Sequence, residues 1–225
     1  MKTSHWTIAA VVVLFVAAGT THGTIISHTP LGGSEAVDYI YAPPPGDTII
    51  PDSYNDDTLY VWNEKQNVLL GSNLKVDRVA DETAPYIVGS SGNYEIVAGT
   101  IVASHYLQWD PAGSKRVHAE LAFDSEIFAF ITADQKLFDS DLVLGLDTLN
   151  YNDFSLRGLE SGDTVNYGTD FTTVEIDWQA SNPGDWTRLI TARSPRAAII
   201  PAPGAVLLGS IGAGLVGLLR RRKRL

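Results

Sequence analysis

Hydrophobic and polar positions along this chain fall into three regimes. An unbroken apolar run from Ile8 to Ala18 comes first, and the chain ends with uncharged residues from Gly204 to Leu219 followed by a basic block. Between them, short β-branched and aromatic runs alternate with clusters of Gly, Pro, Asn, Asp and Ser. That alternation predicts strands. The runs are Thr58–Asn63, Val68–Leu70, Leu74–Val79, Tyr86–Val88, Tyr94–Trp109, Arg116–Phe123, Ile127–Thr132, Thr164–Tyr167, Thr172–Gln179 and Trp186–Ala192. Short strands at this spacing predict an all-β fold, an antiparallel, jelly-roll-like β-sandwich over residues 58–198.

One hairpin can be taken to its register. The odd positions Ile101, Ala103, Leu107 and Trp109 are apolar, as are Val117, Ala119, Leu121 and Phe123. A turn through Asp110-Pro111-Ala112-Gly113-Ser114 would set Leu107 opposite Val117 and Ala103 opposite Leu121, with all apolar groups on one face. One helix is expected, from Gln135 to Leu146, packed across the sandwich on Leu137, Phe138, Leu142 and Leu146, with Gly145 near its end. Residues 24–57 lack long apolar runs and contain Pro43-Pro44-Pro45-Gly46, so they are expected to lie as extended coil, with regular structure beginning near Thr58.

The two ends read as targeting segments. Lys2 and the run Ile8–Ala18 have the length of a signal-peptide core, too short to span a bilayer, and Thr21-His22-Gly23 offers a −3/−1 pair for cleavage before Thr24, with Ala17-Ala18-Gly19 as the alternative. Residues 1–23 are therefore expected to direct export. At the other end, residues 199–225 contain Pro201-Ala202-Pro203, the uncharged stretch, and then Arg220, Arg221, Arg222, Lys223 and Arg224. As a helix the uncharged stretch would rise about 24 Å, enough for marginal insertion. The basic cluster would stay cytoplasmic and leave the body outside. Ala205, Gly209, Ala213 and Gly217 recur every four residues, a small-residue stripe along one helix face.

This tripartite tail resembles the PEP-CTERM sorting domain of exported bacterial proteins, with Pro201-Ala202-Pro203 where that family has Pro-Glu-Pro. The resemblance covers Ile200 to Leu225. It implies handling by an exosortase-like membrane protease, membrane anchoring before cleavage near the prolines, and release or attachment to exopolysaccharide afterwards. A cell-surface or biofilm-matrix location would follow.

Charge sharpens the picture of the body. Of 16 basic residues, Lys2 lies in the leader and five lie in the tail, leaving 10 against 26 acids, a net of −16 where the whole chain has −10. Such a surface disfavours nucleic acid. The chain has no cysteine, so core packing must replace disulfides and thiol chemistry is excluded.

Candidate chemistry is sparse. His105 and His118 with Glu120 suggest a metal site, but in the register above His105 faces the core while the other two face away. Calcium finds oxygen ligands in turns, with Asp139 and Asp141 the best pair, although no EF-hand spacing is completed. Gly89-Ser90-Ser91-Gly92 lacks the spacing and strand-to-helix context of a nucleophile elbow, and neither a His-Glu-x-x-His motif nor a phosphate-cradling glycine loop occurs. Tyr60, Trp62, Tyr106, Trp178 and Trp186 could stack on a sugar or fill the core, and core is the expectation. The leading expectation is a non-enzymatic surface or matrix protein without a cofactor. A glycan-binding or glycan-active module and a calcium-dependent adhesion module are the alternatives.

Overall fold

Two segments in which nearly every side chain is buried, Ile101–Trp109 and Asp185–Ala192, lie side by side at the centre of the fold. A strand covered on only one face would show alternation, so continuous burial means both faces are covered. The computed structural model, which describes residues 25–35, 37–46, 48–49, 56–151, 157–181 and 184–195, shows what covers them.

Along the chain the strands begin with β1 (Ile25–Pro30), β2 (Asp38–Ile40), β3 (Thr48–Ile49), β4 (Thr58–Asn63), β5 (Val68–Leu69) and β6 (Leu74–Val76). They continue with β7 (Arg78–Val79), β8 (Ile87–Ser90), β9 (Asn93–Ile96), β10 (Ile101–Trp109), β11 (Lys115–Phe123) and β12 (Ile127–Ile131). After the helix α1 (Asp134–Leu144) come β13 (Asn150–Tyr151), β14 (Thr164–Tyr167), β15 (Thr173–Ala180) and β16 (Asp185–Ala192).

The central sheet runs β2-β4-β10-β16-β12-β7, with β5 also on β10. One of its faces meets a four-stranded sheet, β1-β11-β15-β14, to form the sandwich. Leu107 and Trp109 there pack with Val117, Leu121, Phe123, Ile176 and Trp178. The opposite face is covered by α1 and by a three-stranded sheet, β6-β9-β8, through Trp62, Tyr106, Trp186, Ile96, Leu137 and Leu144. The body is thus an all-β sandwich with a third layer on one side.

Several expectations change. Residues 24–57 are not only extended coil: β1 pairs with β11 and β2 runs parallel to β4, while the prolines lie in bends between strands. These strands are held by backbone hydrogen bonds, with Ile25 the one buried side chain of β1, so composition did not reveal them. A second parallel pair joins β13 to β3.

The β10–β11 hairpin does not form. Asp110–Ser114 instead carries the chain from one sheet to the other; Val117 pairs with Trp178, Leu121 with Val174, and Leu107 with Thr187 and Val61. The apolar faces were assigned correctly, since Leu107, Trp109, Val117 and Leu121 share one core, but they meet across the sandwich and not along a sheet. The helix begins one residue earlier than expected and ends two earlier, and its buried positions are Leu137, Ser140 and Leu144. Leu142 is 91% exposed and Phe138 44%. The helix presents Leu137 and Leu144 to the sheet with the polar Ser140 between them, a mixed stripe that a search for apolar spacing passes over.

The expected signal peptide and the whole expected sorting tail, including Pro201, Ala202, Pro203, the small-residue stripe and the basic cluster, lie outside the described residues. Among the described residues no helix is long and apolar enough to cross a membrane.

Candidate functional site

The polar face of α1 rests on a closed cluster of charges. Arg188, on β16, is fully buried and donates from Nε to Glu64 Oε2 at 2.6 Å and from Nη2 to Glu64 Oε1 at 2.7 Å. Its remaining hydrogens go to Asp141 Oδ1 at 3.0 Å, the Leu137 carbonyl at 3.2 Å and the Ser140 hydroxyl. All five guanidinium donors therefore have acceptors, the geometry Arg is suited to supply.

Arg157 donates to Asp141 at 2.7 and 3.0 Å and to the Tyr106 hydroxyl at 2.9 Å. Glu64 further accepts from Ser104 at 2.6 Å and from Tyr151 at 2.5 Å. Two cations thus face two anions, and the cluster is neutral as a whole. Burial opposes the charge on Arg188, but Glu64 and then Asp141 outweigh it and its pKa is raised. The Tyr151 hydroxyl is pushed up by burial and by Glu64. A network in which every donor of Arg188 is satisfied fixes the helix on the sheet.

The candidate metal pair is divided by this arrangement. Asp141 points inward to the two arginines, whereas Asp139 is exposed and accepts a hydrogen bond from Gln135 at 2.8 Å. Two residues apart on a helix, they cannot share a face. Among the described residues no group of three His, Asp or Glu comes together as a metal site.

The histidines are split as expected. His105 is buried between Asn63 Oδ1 at 2.7 Å and Thr191 Oγ1 at 3.2 Å, and burial pushes its pKa down to about 3. His118 lies on the other side of the four-stranded sheet, where the Gly32 carbonyl at 2.8 Å and Glu175 at 3.0 Å raise its pKa. All five candidate stacking rings are core: Tyr60 is 5% exposed and Tyr106, Trp62, Trp178 and Trp186 less.

The second constellation was not foreseen. A cavity of about 260 Å³ opens beside the start of α1, lined by Asp134, Arg157, Gly158, Leu159, Glu160, Gly184 and Asp185. Asp185 sits at the start of β16, only 2% exposed, and its Oδ2 has no hydrogen-bond partner. Burial, with Asp163 and Glu160 nearby, pushes its pKa up to about 8. Asp163 behind it accepts the backbone N–H groups of Glu160 at 2.8 Å and Gln179 at 2.9 Å. Asp134 at the rim is also raised by burial, against the pull of Arg157. Backbone geometry shapes the wall: Gly158 has a φ of +105°, and a β-carbon there would run into the Thr132 carbonyl.

The sequence carried little warning of either constellation. Glu64, Arg157 and Arg188 look like ordinary surface charges, and the single hint is that Arg188 stands inside the expected strand Trp186–Ala192, next to Leu189 and Ile190. No family model, curated protein or solved structure matches this chain, so its function has to be read from the tail pattern and the geometry of the body.

Proposed function

We propose that this chain is an exported, non-enzymatic β-sandwich component of a bacterial cell surface or extracellular matrix. In this reading residues 1–23 direct export and residues 199–225 hold the protein in the membrane until an exosortase-like protease cuts near Pro201-Ala202-Pro203. The observation that carries it is the fixed order of prolines, uncharged stretch and basic cluster in the last residues. That order anchors a helix and fixes its orientation through the cost of translocating guanidinium groups.

The body adds support of a different kind. Its buried charges are matched against one another in a network that ties helix to sheet, as suits a scaffold, and its acidic surface suits solubility outside the cell. β16 ends at Ala192, nine positions before Pro201, so the sandwich would stand within about 30 Å of the cleavage region.

Mass spectrometry of the protein recovered from culture medium tests the reading. The expected product lacks the basic cluster and ends near the prolines. Recovery of a chain ending in Arg224-Leu225 would remove the processing step, and a reporter fused upstream of the prolines that stays on the cytoplasmic side would remove export.

A further inference from the structure

We infer that the cavity at Asp185 is a binding site for an organic cation, a primary ammonium carried on a compact frame such as an amino sugar. The first argument is the state of Asp185 itself. Several other buried or half-buried carboxylates here are held by donors: Glu64 faces Arg188, Asp141 faces Arg157 and Arg188, Asp77 faces Lys136 at 2.5 Å, and Asp163 accepts two backbone N–H groups. Asp185 is as buried as these, yet its Oδ2 has neither a hydrogen-bond donor nor a salt-bridge partner. A buried polar atom left unpaired is costly, and a group that supplies the missing donor recovers that cost.

The surroundings select the sign of the ligand's charge. Glu160 and Asp134 line the same cavity, and Asp163 lies behind. The one cation in the lining, Arg157, spends its guanidinium on Asp141 and Tyr106. An anion would therefore meet three carboxyl groups, whereas an ammonium would find Asp185 at the floor and two more acids on the way in.

The size selects an organic cation over a bare metal ion. A volume of about 260 Å³ is that of a small molecule, several times the ~30 Å³ that one water occupies in the liquid. Among the described residues no three carboxylates or histidines converge to coordinate a metal. Leu159 gives an apolar wall against which a ring can lie.

Binding would be an exchange. At neutral pH Asp185 carries a proton, and the arriving ammonium takes over its role, so a proton leaves as the ligand enters. The inference rests on the export reading only for the source of the ligand, an amine-bearing extracellular polymer.

The test is calorimetric titration of the purified full-length chain at pH 7 with short glucosamine oligomers. It is run in two buffers of different ionisation enthalpy, with the fully N-acetylated oligomers and with calcium chloride as comparisons. The free amines are expected to bind saturably with a net proton release below one per site, because the part of the amine that is neutral at pH 7 takes up the proton Asp185 gives away, and the N-acetylated oligomers are not expected to bind. Asp185→Asn, which keeps the neutral state the cavity already accommodates, should weaken binding tenfold or more and abolish the proton release. Glu160→Gln should weaken it a few-fold. Equal binding of the acetylated oligomers, no binding of the free amines, or undiminished binding by Asp185→Asn would overturn the proposal. So would calcium binding that Asp185→Asn removes, which would mark a metal site. These outcomes leave the tail-processing experiment untouched, so either reading can fail alone.

Discussion

Asp185 also has a consequence for stability that needs no ligand. Its ordinary pKa is 3.8 and its folded value is about 8, so between these the folded protein holds a proton that the unfolded chain has lost. Stability then falls as pH rises, by up to about 1.4 kcal/mol per unit. The contribution is whole below pH 3.8 and gone above the folded value. His105 acts in the opposite sense: its pKa drops from 6.5 to about 3, so its contribution is present above 6.5 and is lost as pH falls. The two slopes oppose one another in mild acid. From pH 6.5 to 8 His105 is silent and Asp185 acts over about 1.5 units, or roughly 2 kcal/mol. His118, raised by Gly32 and Glu175, also titrates above 6.5, but it does so equally in a variant. Urea unfolding of the wild type and Asp185→Asn at pH 6.5 and 8 isolates the effect. The wild type should lose about 2 kcal/mol more than the variant between the two pH values. Parallel loss in both proteins would mean that Asp185 does not hold a proton in the folded state, and the argument from its burial would fail.

The charge cluster gives a second expectation. Arg188→Met strands Glu64, leaves Asp141 with Arg157 as its cation, and should cost about 3–5 kcal/mol in chemical denaturation, while adding Glu64→Gln should return part of the loss. At Gly158, substitution by Ala forces a side chain into φ +105° and should cost about 1–3 kcal/mol from backbone strain alone, read as a lowered melting temperature. Leu142→Glu, on the solvent side of α1, should change stability by less than about 0.5 kcal/mol; a large loss would restore the apolar-spacing assignment of the helix face. Deleting residues 24–31 removes β1 and frees the outer edge of β11, so concentration-dependent self-association should appear in light scattering.

Much of the strand inventory could be read from the chain because alternation reports which side of a strand is buried. Val117, Ala119, Leu121 and Phe123 are buried as their pattern says, and so are Val174, Ile176, Trp178 and Ala180. Alternation does not say which strand lies alongside, and a five-residue link such as Asp110–Ser114 can turn within a sheet or pass between sheets. In β10 it fails for another reason: the strand is covered on both faces, so Ser104, Tyr106 and Gln108 are as buried as Leu107. β1 and β2 escaped because backbone hydrogen bonds leave no compositional trace. The helix face was legible only in part: Leu137 and Leu146 pack on the core as expected, but Ser140 and Asp141, and not Phe138 and Leu142, complete the contact. Neither polar constellation was legible, since Glu64, Arg157 and Arg188 in one, and Asp134, Glu160 and Asp185 in the other, come from separate stretches of chain that meet only in the folded body.

The position of β16 has a mechanical side. It is the last strand among the described residues, yet it lies at the middle of the central sheet, with β10 registered along one side from Asp185 to Ala192 and β12 along the other. Interstrand hydrogen bonds stand perpendicular to the strands. Tension entering from the C-terminal side therefore loads both flanking ladders at once in shear, so that they must slide together before the strand comes free. An outermost strand such as β1, pulled across its length, would peel one rung at a time. A tether joined to β16 thus grips the domain where it yields last.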